Sequence, residues 1–183
     1  MKGTEKISMN GSSSNTETET PKKHTISVLV EHNFNALSRI VGLFSGRGFE
    51  IDSISFGQGQ EPGLARITIT THGDEQIIEQ ITKQLHKIID VHKVTDLTYE
   101  PLVERELALV KVYAPASDRS EIMQIVNVFR AKIIDISPEK LTIEVTGSRD
   151  KVNASIGMLR QFGIVEIART GSVALKREFQ GTA

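Results

Sequence analysis

The first candidates for chemistry are five histidines, His24, His32, His72, His86 and His92, because imidazole is both a common general base and a common metal ligand. No two of them stand at i, i+4 on a helical pattern, and no carboxylate cluster accompanies them, so the spacing of a metal site is missing. His24, His72, His86 and His92 therefore read as solvated or hydrogen-bonded surface side chains. The chain has no cysteine, which removes disulfides, thiolate metal sites and cysteine nucleophiles together. No nucleophile elbow, P-loop lysine or kinase signature occurs. Gly42, Gly46 and Gly48 lie within and after a helical pattern, whereas a phosphate loop needs its glycines before the helix. They read as helix-ending residues. The stretch entering that helix is different. A turn that leads straight into a helix presents amides without a partner in the helix, and these suit a carboxylate. Here they belong to Asn33 through Leu37, with Asn35 read as a helix-capping residue.

The elements that would hold this loop follow from periodicity. Ile26, Val28 and Val30 alternate with Ser27 and Leu29 as a strand, and Leu37, Ile40, Val41 and Phe44 recur at helical spacing. Residues 49–56 read as a second strand, and Gly57, Gly59, Pro62 and Gly63 as a hairpin loop. Residues 64–71 read as a third strand. Ile77, Ile78, Ile81, Leu85 and Ile88 mark a second amphipathic helix, and residues 91–99 a fourth strand. The order is βαββαβ. It recurs as a strand at 107–112, a helix at 119–130, a hairpin at 133–136 and 141–145, a helix through Val152, Ile156 and Leu159, and a strand at 164–167. Ile40-Val41-Gly42-Leu43-Phe44 is echoed by Ile125-Val126-Asn127-Val128-Phe129. The expected architecture is α+β, with two tandem ferredoxin-like βαββαβ domains. Residues 24–99 form the first, 100–105 a linker, 106–176 the second, and 177–183 a tail.

Residues 1–23 read as a disordered tail, because the run from Asn10 to Thr20 has no apolar residue to offset its ordering entropy. It resembles neither a secretory signal nor an organellar transit peptide. A formal net charge of -1 supplies no global field toward nucleic acid or anionic lipid. RNA-recognition motifs share the βαββαβ order but stack bases on aromatics of their two central strands. Residues 25–30 and 66–71 carry none. No membrane or nucleic-acid partner is expected, and the absence of cysteine suits a cytoplasmic location.

Several segments together resemble one family. They are residues 26–31, the helix Ala36-Leu37-Ser38-Arg39-Ile40-Val41-Gly42-Leu43-Phe44-Ser45, and the exit Arg47-Gly48-Phe49-Glu50-Ile51-Asp52-Ser53. Val103-Glu104-Arg105-Glu106-Leu107, Phe129-Arg130-Ala131-Lys132-Ile133-Ile134-Asp135-Ile136 and Ala168-Arg169-Thr170-Gly171 follow in order. The family is the small regulatory subunit of acetohydroxyacid synthase, also called acetolactate synthase, and the likeness runs from His24 to Lys176.

The resemblance implies an ACT domain at 24–99 and a non-catalytic role. Such a subunit raises the activity of a separate catalytic subunit and lowers it when a branched-chain amino acid, valine above all, is bound. No cofactor is expected in this chain; thiamine diphosphate, magnesium and FAD belong to the catalytic partner. ACT domains pair across a homodimer, with the effector at the interface. The effector-site residues carried over are His32, Asn33, Asn35 and Ala36 from one chain with Glu50 and Ile51 from the other; no catalytic or metal residue is expected. The family usually has Asn or Asp where His32 stands, Gly where Asn35 stands, and Asn where Glu50 stands. Asn35 is expected to take up the left-handed backbone that Gly supplies, and His32 and Glu50 to alter ligand preference. The alternative is a stand-alone two-domain ACT-type sensor acting on another partner.

Overall fold

The computed structural model describes residues 22–178. Alternation of apolar and polar residues builds the first sheet from β1 (Lys22–Glu31), β2 (Ser53–Gln58), β3 (Leu64–Gly73) and β4 (Val91–Asp96), in the order β2-β3-β1-β4. All neighbours run antiparallel. The register sets Ile26 opposite Ile69, Val28 opposite Ile67 and Val30 opposite Ala65, so one face is wholly apolar. Helices α1 (Phe34–Arg47) and α2 (Glu75–Leu85) cover it with Ile40, Phe44, Ile78, Ile81 and Leu85. The second sheet is β5 (Leu102–Tyr113), β6 (Lys132–Ile136), β7 (Lys140–Gly147) and β8 (Ile164–Arg169), in the order β6-β7-β5-β8. Its core packs Val110, Val112, Ile143 and Val145 against Ile122, Ile125, Ile156 and Leu159 of α3 (Arg119–Val128) and α4 (Arg149–Leu159). The two βαββαβ units inferred from periodicity are present, so the α+β, ferredoxin-like class holds.

Several details differ from the sequence reading. Lys22 and Lys23, expected in the tail, open β1 opposite Gly73 and His72; the remainder of that tail, and positions 179–183 of the C-terminal one, lie outside the described residues. Leu102–Arg105, expected within a linker, are the first third of β5. They pair with an unanticipated strand β9 (Val173–Lys176), which satisfies their backbone groups. His24 is buried, at 1% exposure, and not on the surface. Its Nε2 lies 3.2 Å from the Gly73 carbonyl and its Nδ1 3.2 Å from the Thr98 hydroxyl, which compensates the burial of a polar ring. Finally, Phe49 and Ile51 pack against the core from a loop, and β2 begins only at Ser53.

The start of α1 is set by Asn33, not Asn35. Asn33 has extended backbone, and its side-chain oxygen accepts the Ala36 N–H at 2.8 Å, as an N-cap should. Gly48 ends the helix in left-handed backbone, φ 69°, with its N–H returned to the last turn. Asn35 is helical. Among the described residues Arg130 alone has positive φ without being glycine, so the left-handed backbone expected of Asn35 is not used. A cap earlier in the turn has already directed the chain into the helix.

In the second unit Glu106 is only 4% exposed, and its two carboxylate oxygens take a two-pronged contact from Arg169. Two measurements check these local assignments. In urea unfolding, Asn33→Ala should lower stability by about 1 kcal/mol, whereas Asn35→Ala should stay within about 0.5 kcal/mol. Arg169→Met should cost about 3 kcal/mol, because it leaves a buried carboxylate alone; adding Glu106→Leu should recover most of that loss.

Candidate functional site

The β1–α1 turn is held by three backbone hydrogen bonds. The Glu31 N–H donates to the Asp90 carbonyl at 2.9 Å, His32 N–H to Gly63 O at 2.8 Å, and Asn33 N–H to Glu31 O at 2.8 Å. The Asn33 side-chain amide also donates to the Glu31 carboxylate at 3.1 Å. Ala36 N–H is taken by the cap, and the amides of Phe34 and Asn35 at the helix start have no partner among the described residues. They face a helix dipole's positive end, so a carboxylate there would gain charge-assisted hydrogen bonds. The amides of His32, Asn33 and Ala36 are occupied, and the Ala36 side chain is fully buried in the core. Their backbone amides therefore shape the turn and are not free for a ligand.

The His32 ring packs on the Phe56 ring of β2, with centroids 5.5 Å apart and planes tilted by 33°. Periodicity did not single out Phe56 or Phe34 as site residues. Phe34 is 80% exposed, although a large aromatic at the start of an amphipathic helix could have drawn notice. Phe56 could be found only from the pairing of β2 with β3, which turns its side chain toward the loop.

Glu50 and Ile51 lie elsewhere in the same chain. The Glu50 carbonyl accepts the Thr71 hydroxyl, and Asp52 N–H donates to Thr70 O at 2.8 Å. This is the far end of β3 from Leu64, which pairs with Glu31 beside the turn. The run from Leu64 to Thr71 spans about 23 Å at a rise of about 3.3 Å per residue. One chain thus brings His32, Asn33, Asn35 and Ala36 together and leaves Glu50 and Ile51 at the opposite end of the sheet. β2 links the two ends: it starts beside Ile51, carries Phe56 to His32, and is an edge strand with one side unpaired.

A second polar region lies between the two units. Asp52, Ser53, Ile54, Glu106, Arg149, Arg169, Thr170 and Gly171 line a cleft of about 300 Å³. Arg149 donates to the Thr70 hydroxyl at 3.3 Å and lies 3.5 Å from the Asp52 carboxylate. That carboxylate also lies 2.8 Å from His72 Nδ1. Sequence reading missed this grouping, whose members are distant in the chain and show no local spacing.

Comparison with known proteins places this geometry in a family. Residues 26–93 match the family described as AHAS small subunit-like ACT domain, and residues 105–178 the family described as small subunit of acetolactate synthase. A protein of Methanothermobacter thermautotrophicus named a probable acetolactate synthase small subunit is 53% identical over 158 residues, covering 86% of this chain and 94% of its own length. The acetolactate synthase small subunit of Aquifex aeolicus is 51% identical, covering 86% of this chain and 82% of its own. The crystal structure of the acetolactate synthase small subunit from Thermotoga maritima superposes with a TM-score of 0.80 at 45% identity, covering 87% of this chain and 99% of that one. Two matched domains in the same order, at half-identity over nearly the full length of these relatives, settle the matter: the chain belongs to the acetolactate synthase small-subunit family.

Proposed function

We propose that this chain regulates a thiamine-diphosphate-dependent catalytic subunit of acetolactate synthase. In this reading it raises the activity of that subunit and lowers it when a branched-chain amino acid, valine foremost, is bound. The small-subunit relatives support the partner; thiamine diphosphate, magnesium and FAD belong to that partner. The single observation that carries the sensing role is the pair of unpartnered amides, Phe34 and Asn35, at the start of α1.

The open edge of β2 supports a homodimer. An exposed strand edge presents a row of unpaired N–H and C=O groups, which a second strand satisfies. Two copies of β2 related by a twofold axis pair antiparallel, so Ser53 of one lies toward Gln58 of the other. Glu50 and Ile51 of the second chain then come beside the hairpin residues Gly59 to Gly63, next to His32. That pairing closes the 23 Å gap, about the length of β3. The amino-acid carboxylate meets the Phe34 and Asn35 amides, and its ammonium meets Glu50 across the interface. Where Glu50 stands, a charge pair replaces the neutral contact an Asn would make, and His32 against Phe56 narrows the turn.

Phe34→Pro tests this without dismantling the helix. Proline is suited to the first helical position, where its missing N–H has no helical partner, and Asn33 before it already has the extended backbone that proline requires. A hydrogen bond to a charged group contributes about 1.5–3 kcal/mol. Titration calorimetry should therefore show valine affinity about tenfold or more weaker in Phe34→Pro, with urea stability nearly unchanged. In the reconstituted complex the unvaried chain should co-purify with the catalytic subunit and raise its activity. No heat from valine, leucine or isoleucine would reject the sensing role.

A further inference from the structure

The turn between β8 and β9 is seated on β2. The Ser55 hydroxyl donates to the Thr170 carbonyl at 2.9 Å, and the Ser172 N–H donates to the Ser53 hydroxyl at 3.4 Å. Between them Gly171 has φ 75°, and a Cβ there would lie 3.1 Å from both Ser53 Cβ and Ser55 Oγ. Glycine is required twice over, by its backbone and by the closeness of the strand. On the adjoining side, Arg149 at the start of α4 joins Thr70 and Asp52. The turn is in turn fixed to the middle of the second sheet. Thr170 N–H donates to the Leu107 carbonyl at 3.0 Å, and the Thr170 hydroxyl accepts the Leu107 N–H at 3.1 Å. Arg169, one residue earlier, is gripped by Glu106 of the same strand, β5.

We infer that this seam, Thr170-Gly171-Ser172 with Arg149 on Asp52, Ser53 and Ser55, couples movements of β2 in the first sheet to the second sheet. β2 is short and bound to the first sheet along one edge only, so it and its lead-in yield more readily than the central strands β1 and β3. The approach at Gly171 leaves no room for a side chain, and hydrogen bonds tie Ser53 and Ser55 to the turn, so a shift of either serine pulls on the turn. Thr170 and Arg169 then carry the displacement into β5, which runs unbroken from the β9 pairing into the core of the second unit. The source of such a shift, a ligand gripping Glu50 and Ile51 just before Asp52, rests on the effector reading above. The seam itself rests on contacts within one chain.

The absence of native cysteine makes a distance measurement direct. Gln80→Cys on α2 and Gln124→Cys on α3, both exposed, accept spin labels, and labelled full-length chain diluted with unlabelled chain gives the separation of the two units by pulsed electron resonance. The unvaried chain should give one narrow distribution, and Ser55→Ala combined with Arg149→Gln one at least twice as wide. Gly171→Ala should widen it further; the double variant, which adds no strain, stands if Gly171→Ala fails to fold. In the complex with the catalytic subunit, the double variant should lose at least fivefold in sensitivity to the bound amino acid, while its calorimetric affinity stays within twofold. A narrow distribution in the double variant overturns the inference, as does full retention of sensitivity. Should the unvaried chain bind none of the three amino acids, the effector reading falls, and the distance distributions alone decide the seam.

Discussion

β2 is held from three directions, and the rest of the molecule is arranged around that fact. Along one edge it has the backbone of β3; on one face, the apolar core under α1 and α2; on the other, hydroxyls that meet a different part of the chain. Only its outer edge is unsatisfied. A strand paired on one side has roughly half the ladder of a central strand and is correspondingly easier to displace. The same strand carries Phe56 to His32 at one end and receives the second unit at the other. Anything that grips or releases its outer edge therefore acts on both.

The face of the first sheet away from the helices explains why the contact between units is polar. Thr25, Ser27, Thr68 and Thr70 are buried although their side chains point away from the apolar core. Two of these hydroxyls are paired with neighbours: Thr70 with Ser53 at 2.7 Å, and Ser27 accepting from Arg66 at 2.9 Å. A buried hydroxyl without a partner is costly, about 1–3 kcal/mol, so such a face specifies position more sharply than an aliphatic one, where side chains slide at small cost. Ser172 is the exception, its hydroxyl buried without a partner among the described residues. It lies directly beside the Gly171 contact, where the Ser53 and Ser55 side chains leave no room for a Cβ.

Period-2 and period-3.6 patterns made most of the fold legible, because they report which residues face an apolar core. Ile26, Val28 and Val30 could be assigned to one face before any pairing was known, and Ile78, Ile81 and Leu85 to one helix stripe. The same patterns say nothing about what covers a polar face. Alternation places Thr68 and Thr70 opposite the core, yet both are buried, with Thr70 held by Ser53 and Arg149. Leu102–Arg105 read as a linker because Glu100-Pro101 looks like a boundary, while β9, at four residues, is too short to show a period. At the candidate site, the turn and its helix start were legible from residue types, but the choice between Asn33 and Asn35 as cap was not. Both are good capping residues two positions apart, and the backbone hydrogen bonds of Glu31 and His32 to Asp90 and Gly63 decide between them. Those partners come from distant loops.

Continuity of β5 is the last consequence. A flexible linker would let the second unit sample many orientations, and a displacement of β2 would be lost in that freedom. A strand paired at one end with β9 and at the other with β7 and β8 cannot bend at Arg105 without breaking ladder hydrogen bonds. The two units therefore meet through β5, through the turn on β2, and through Lys23 of β1, whose ammonium lies 3.4 Å from the Glu104 carboxylate. Several attachments fix an angle where one would leave a hinge. Small movements at the strand edge then have a defined lever arm to the second sheet.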